Sequence, residues 1–310
     1  MRFLAIGECM AELSPSDQDG DFNLGFAGDT FNTTWYLAQI ATGFDVSYLT
    51  AIGDDAISRD MRSFITASGI NDAHIQELPG ETVGLYLIHL DKGERSFSYW
   101  RGQSAAKQLA QNSLAMQNAI DQADLIYFSG ITLAILDPES RETLFTALRK
   151  ARSAGKIVAF DTNLRPRLWA STQVMQDTIM RAASEADIVL PSFEDEEQWF
   201  GDDTALATLE RYARLGIKRI IVKNSDQSVV YEDHGQRGEI TVEPATHVVD
   251  TTAAGDSFNA AVFASILLGK DLADGIQHGC RLARHVVRHK GALVPVSTAS
   301  AMKQVPFDPA

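Results

Sequence analysis

The segment Val248-Val249-Asp250-Thr251-Thr252-Ala253-Ala254-Gly255-Asp256-Ser257-Phe258 brings a run of small side chains and two carboxylates to the start of an apolar helical pattern. Small side chains let a backbone come close to a ligand. The unpaired N–H groups of a helix start, helped by the helix dipole, attract anions. Ala253, Ala254 and Gly255 are the expected anion hole. A carboxylate in the first turn, Asp256, repels a bound phosphate but is well placed to accept a proton from an attacking hydroxyl. A base and an anion hole, together with ATP and Mg2+, meet the needs of phosphoryl transfer. The plainer reading of Asp256 is an acid that only stabilises its helix. The flanking Asp250 and the small residues weigh against it.

Cationic side chains carry information in so acidic a chain. Lys and Arg number 27 against 41 Asp and Glu, a net charge of -14. Such a chain repels nucleic acid and anionic membranes overall and binds an anion only through a local positive site. Arg165, in Asp161-Thr162-Asn163-Leu164-Arg165-Pro166, follows a strand pattern, and Arg101 closes a hairpin. Guanidinium groups clamp carboxylates and phosphates through paired hydrogen bonds. Two of them, on different elements, point to an anionic ligand between them.

These residues need a frame. Apolar runs at 3–7, 46–52, 125–128, 157–160, 188–190 and 219–222 alternate with helical patterns at 30–41, 56–68, 139–154, 173–185 and 204–215. The alternation predicts an α/β fold, a mostly parallel sheet with helices on both faces, whose ligands bind beyond the strands' C-terminal ends. Short strands at 229–231 and 239–242 and helices at 255–268 and 272–288 complete it. The rhythm breaks at 82–90 and 95–101, which read as a β-hairpin around Asp91-Lys92-Gly93. Phe97, Tyr99 and Arg101 share one of its faces. We expect a projecting lid built from about 19–26 and 75–101 on a single domain spanning 1–310. No Gly-x-Gly-x-x-Gly follows the first strand, which argues against a nicotinamide-binding dehydrogenase.

With 310 residues, 45% of them hydrophobic, the chain can bury a substantial core. No apolar run approaches the length of a membrane span. The charge at Glu8 comes too early for a signal peptide. Cys9 and Cys280 are far apart and lack metal-ligand spacing, so a cytoplasmic protein with free thiols is expected.

Asp250-Thr251-Thr252-Ala253-Ala254-Gly255-Asp256 and Gly25-Phe26-Ala27-Gly28-Asp29-Thr30-Phe31-Asn32 resemble the two signatures of the PfkB or ribokinase-like carbohydrate kinases, in the same order along the chain. Ala253 stands where that family has Gly, so an ordinary φ is expected there. The strings Ile6-Gly7-Glu8, Gly84-Leu85-Tyr86 and Ser98-Tyr99-Trp100-Arg101 are similar to the branch that phosphorylates 2-keto-3-deoxygluconate, a sugar acid, rather than to neutral-sugar kinases such as fructokinase. The resemblance implies a ribokinase-like fold and Asp256 as catalytic base. It implies Gly28, Asp29, Asn32, Tyr86, Tyr99 and Arg101 as substrate contacts, and Arg165 reaching both the substrate and the transferred phosphate. Asn163, Lys223, Ser225, Ser228, Thr252, Ala254 and Gly255 would meet ATP. Ser192 and Asp195 fall where the family keeps an Asn-x-x-Glu element, which makes Asp195 the candidate Mg2+ residue. A lid that pairs between subunits, and so a homo-oligomer, also follows by analogy.

Overall fold

The computed structural model describes residues 1–16, 18, 20–91 and 94–296. In chain order its strands are β1 (Arg2–Ile6), β2 (Met10–Pro15), β3 (Phe22–Ala27), β4 (Asp45–Gly53), β5 (Ile75–Leu78), β6 (Leu85–Asp91), β7 (Glu94–Trp100), β8 (Leu125–Ser129), β9 (Ile157–Asp161), β10 (Ile188–Val189), β11 (Arg219–Val222), β12 (Val229–Asp233) and β13 (Gln236–Ile240). The α-helices are α1 (Asp29–Ile40), α2 (Ala56–Ala67), α3 (Ser113–Gln122), α4 (Gly130–Ile135), α5 (Pro138–Ser153), α6 (Thr172–Ser184), α7 (Phe193–Phe200), α8 (Ala205–Ala213), α9 (Ala254–Leu267) and α10 (Leu272–Val286).

The large sheet runs β13-β12-β11-β10-β9-β8-β1-β4-β5. It is parallel from β11 to β5, with β12 and β13 added antiparallel at one edge. Its central strands read as unbroken apolar runs because both faces are covered. Phe3, Ala5, Leu125 and Tyr127 enter one core; Leu4, Ile6, Ile126 and Phe128 enter the other. Phe263 of α9 meets Phe3 at 5.7 Å on the first face, and Phe128 stacks on Phe160 at 4.8 Å on the second. From Ser257 to Leu267, helix α9 is buried almost all round, which is why its sequence lacks an amphipathic stripe.

A second sheet of four strands, β3-β2-β6-β7, stands apart from the first, as expected for a lid. Strand β2 was not foreseen. It follows β1 closely and carries Pro15, yet Ala11 and Leu13 alternate with Glu12 and Ser14 as in a half-buried strand. The lid expected over about 75–101 begins later in the chain: β5 pairs in parallel with β4 in the large sheet because Ile75 packs into the main core. Lys92 and Gly93 of the hairpin turn, and Asp19, lie outside the described residues. Four connections join the sheets: β1 to β2, β3 to α1, β5 to β6, and β7 to the 3-10 turn Ala105–Gln108.

Candidate active site

Because β1, β8, β9 and β11 are parallel, their C-terminal ends deliver Glu8, Ser129, Asp161, Asn163 and Lys223 to one edge of the sheet. Helix α9 begins at that edge. Its N-cap, Ala253, has φ 60° and ψ 14°, so the expectation of an ordinary φ there is overturned. A Cβ in the left-handed region costs about 1–2 kcal/mol. The methyl group is not idle, however: it packs against the apolar cluster that Met10, Ala27, Tyr86, Ile88 and Ala292 form. Asp250 holds the loop in this shape. Its Oδ1 accepts from the Thr252 N–H (3.1 Å) and hydroxyl (2.7 Å), and its Oδ2 from the Gly291 N–H (2.7 Å).

Alanine cannot cap a helix, and α9 has no side-chain cap. The Ala254 N–H turns back to the Thr251 carbonyl at 3.2 Å, and Ser257 makes the first helical bond, to the Ala253 carbonyl, at 2.9 Å. The N–H groups between them, on Gly255 and Asp256, have no acceptor within the helix. Of the three residues expected to form the anion hole, Ala254 thus has its N–H engaged by Thr251, while Gly255, joined by Asp256, keeps an N–H open to an anion. The Lys223 ammonium lies beside it: a Cβ built on Gly255 would stand 3.6 Å from Nζ.

Asp256 sits in the first turn of α9 and belongs to an acidic group. Its Oδ2 accepts from the Asn32 amide at 2.8 Å, and the Gly28 N–H donates to Asn32 Oδ1 at 3.3 Å. Asp29, at the start of α1, accepts from Asn163 Nδ2 at 2.7 Å. Asp161 accepts from Lys223 Nζ at 2.9 Å and from Asn259 Nδ2 at 2.6 Å. Burial, then the charge of Asp29, push the Asp256 carboxyl up to about 8; Asp161 adds to this, while Asn32 and Lys223 oppose it. Burial also raises Asp29, against hydrogen bonds from Ser129, Thr30 and Asn163. A carboxyl tuned in this way exchanges a proton near neutral pH, which suits a general base.

Some of the expected residues converge on this group and others do not. Gly28, Asp29, Asn32, Asn163, Lys223 and Gly255 surround Asp256, although Asp29 and Asn32 turn toward protein partners. Tyr86 and Tyr99 form a cross-strand pair with rings 5.8 Å apart, and the Tyr86 hydroxyl donates to Glu12. Thr252 gives its hydroxyl to Asp250. Ser225, with φ 50°, and Ser228 lie in the β11–β12 turn beyond Lys223. Neither arginine waits unpaired. Arg101 forms an ion pair with buried Glu8, and Arg165, half exposed, pairs with Asp195 at 3.4 Å. Asp195 lies in the acid-rich first turn of α7, where burial raises its carboxyl against Arg165.

Three residues escaped the sequence reading. Asp161 ends β9 within a string already singled out. Asn259 is a fully buried polar residue in an apolar helix one turn after Asp256, and that is a usable signal. Glu8 has no local signal, since its partners Arg101 and Ser104 lie 93 and 96 positions away.

Comparison with known proteins agrees with the geometry. Residues 2–299 match the model of the pfkB family carbohydrate kinases. The chain is 38% identical to a 2-dehydro-3-deoxygluconokinase of Haemophilus influenzae, covering 93% of this chain and 94% of that protein. It is 36% identical to the enzyme of that name from Escherichia coli, covering 95% and 97%. The crystal structure of a Thermotoga maritima 2-dehydro-3-deoxygluconokinase superposes with a TM-score of 0.83 at 24% identity, over 98% of this chain and 99% of that one, and so shares the fold. A buried carboxyl in the first turn of a buried helix, a lysine beside N–H groups without a helical acceptor and a separate four-stranded sheet thus belong to one family frame: the chain is a member of the pfkB family of carbohydrate kinases.

Proposed function

We propose that the protein transfers the γ-phosphoryl group of ATP to the terminal hydroxyl of 2-keto-3-deoxy-D-gluconate, giving 2-keto-3-deoxy-6-phosphogluconate and ADP. The observation that carries the chemistry is Asp256 in the first turn of α9, beside the uncapped N–H groups and Lys223. The substrate rests on the two relatives, whose name describes action on this sugar acid, and on Arg101 as its carboxylate partner.

In this reading the sugar lies between the sheet edge and the small sheet, with Tyr86 and Tyr99 along its side. Asn32 occupies Asp256 Oδ2, so Oδ1 is the oxygen that takes the hydroxyl proton. The freed oxygen forms a bond to the γ-phosphorus while the bond from phosphorus to the β–γ bridging oxygen breaks, and ADP departs. The N–H groups of Gly255 and Asp256, with Lys223, hold the charge that gathers on the phosphoryl oxygens. Closure of the small sheet as a lid excludes water and limits wasteful ATP hydrolysis.

No group of three or more His, Cys, Asp or Glu side chains among the described residues forms a metal cage, so Mg2+ would rest on the single carboxyl of Asp195 together with the phosphates of ATP. The Asp195 carboxyl is pushed up by burial and by nearby Asp161, and a cation there relieves both. Asp195 would hold the ion through ordered water, with Arg165 as its present counter-charge. Bound Mg2+ neutralises phosphate charge. Such an enzyme belongs in the cytosol, with the ATP pool. Phe22, Leu24 and Trp100, on one face of the small sheet and 48%, 49% and 58% exposed, favour pairing of lids between two copies.

An ATP-consumption assay across acid and neutral sugars tests the assignment. Turnover with 2-keto-3-deoxygluconate well above that with fructose or ribose is the expected result. A preference for a neutral sugar overturns the choice of substrate.

A further inference from the structure

Glu8 is a carboxylate only 2% exposed that the proposed chemistry does not use. It sits in the β1–β2 connection, and its side chain binds the β7 connection twice: Arg101 Nη2 donates to Oε2 and the Ser104 hydroxyl to Oε1. The other two connections press on it. Gly28, between β3 and α1, packs so closely on the Glu8 carbonyl that a Cβ there would overlap it. A Cβ on Gly84, between β5 and β6, would stand 2.8 Å from Glu8 Oε1 and 3.2 Å from Arg101 Cβ. All four crossings between the sheets therefore meet at this residue.

The arrangement also leaves something unused. Arg101 Nε is buried and has no hydrogen-bond partner among the described residues, while Nη2 of the same guanidinium is held by Glu8. A buried donor without a partner is unfavourable unless a ligand meets it. A guanidinium fixed on one side by a buried carboxylate keeps its other donors aligned for a second one.

We propose that Glu8 is the positioning residue of the acid-sugar site, orienting Arg101 toward the substrate carboxylate from the point where the two sheets join. This rests on the assignment of a sugar acid as substrate. Glu8 acts through Arg101 and makes no contact with the substrate. Its carboxylate also excludes the alternative in which Arg101 swings out with the lid, because that motion would strand a buried charge.

The test is a double-mutant cycle with wild type, Glu8→Gln, Arg101→Ala and the double variant, assayed with 2-keto-3-deoxygluconate and Mg-ATP. Glu8→Gln raises KM for the acid sugar about 10- to 100-fold, the scale of a charge-assisted hydrogen bond. It leaves KM for ATP within about twofold and changes kcat less than KM. In the Arg101→Ala background the same exchange alters KM by less than about twofold, since its route is gone. Losses that multiply in the double variant, or equal rises in both KM values, make Glu8 a general strut and overturn the proposal. If Glu8→Gln loses its cooperative melting transition, Ser104→Ala removes one bond to Glu8 without changing charge. It should raise the acid-sugar KM several-fold, and an unchanged KM overturns the proposal. A wild type that ignores the acid sugar overturns the functional assignment itself, an outcome visible before any substitution is made.

Discussion

The Asn32 amide donates to Asp256 Oδ2 at 2.8 Å, a bond between residues 224 positions apart. It links the first turns of α1 and α9 and orients the carboxyl we propose as the base. It also opposes the burial that raises the Asp256 carboxyl, since a donor favours the charged form. Asn32→Leu should therefore move the base further above 8 and lower kcat/KM at pH 7 by about tenfold, the worth of one charge-assisted bond. A pH–rate profile of the variant checks both effects.

Wild-type kcat/KM should rise with pH and level off above about 8, because the base must be deprotonated in the free enzyme. The charge of Asp29 is the second cause of that high value, after burial. Asp29→Asn should shift the rising limb to lower pH while keeping a side chain that can bond Asn163. A limb that stays in place would remove Asp29 from the tuning of the base.

Asp256→Asn should lower kcat by about 100- to 10,000-fold, the usual contribution of a positioned base. It should also stabilise the fold. The folded carboxyl titrates near 8 and the unfolded one in the ordinary carboxylate range. Between those values the native state holds a proton that the unfolded state has released, so stability falls as pH rises through this window. The variant escapes this loss. Its melting temperature should exceed that of wild type at pH 8 and converge on it toward acid, as thermal scans across pH will report.

Lys223→Met should raise KM for ATP about 10-fold or more, with a smaller effect on the sugar, because the ammonium flanks Gly255 at the anion site. It also leaves Asp161 with Asn259 as its remaining side-chain donor among the bonds described. Steady-state titration of each substrate separates the two effects.

Ala253 carries its methyl at φ 60°. Ala253→Gly relieves the left-handed strain but gives up the methyl packing and loosens the unfolded chain, so stability should stay within about 1 kcal/mol of wild type. Ala253→Val puts a branched side chain in the same conformation and should lower both melting temperature and activity. Denaturant midpoints for the pair are the measurement.

Much of the frame could be read locally. Strands β1, β4, β8 and β9 announce themselves as apolar runs because both faces are covered, and α5 and α6 carry the caps Asp137 and Ser171 at the positions helices need. Strand β2 and helices α3, α4 and α7 were harder. They are short, and α7 hides a buried acid, Glu196, whose partners are Thr162, just after β9, and Arg211 and Tyr212 of α8. Ala253 failed for a related reason. A residue's intrinsic preference was overruled by a loop tied down at Asp250 and Gly291, and by packing from the small sheet.

By itself the sequence determined the α/β alternation and the small-residue helix start that carries Asp256, because strand period, helix capping and side-chain size are encoded over a few neighbouring residues. Tertiary structure alone decided which charges face one another. Asp29 was placed to tune Asp256, Lys223 to flank Gly255, and Glu8 to hold Arg101 at the junction of the sheets. Those pairings arise where distant strand ends meet at one sheet edge, and burial there gives each charge an influence that spacing along the chain does not reveal.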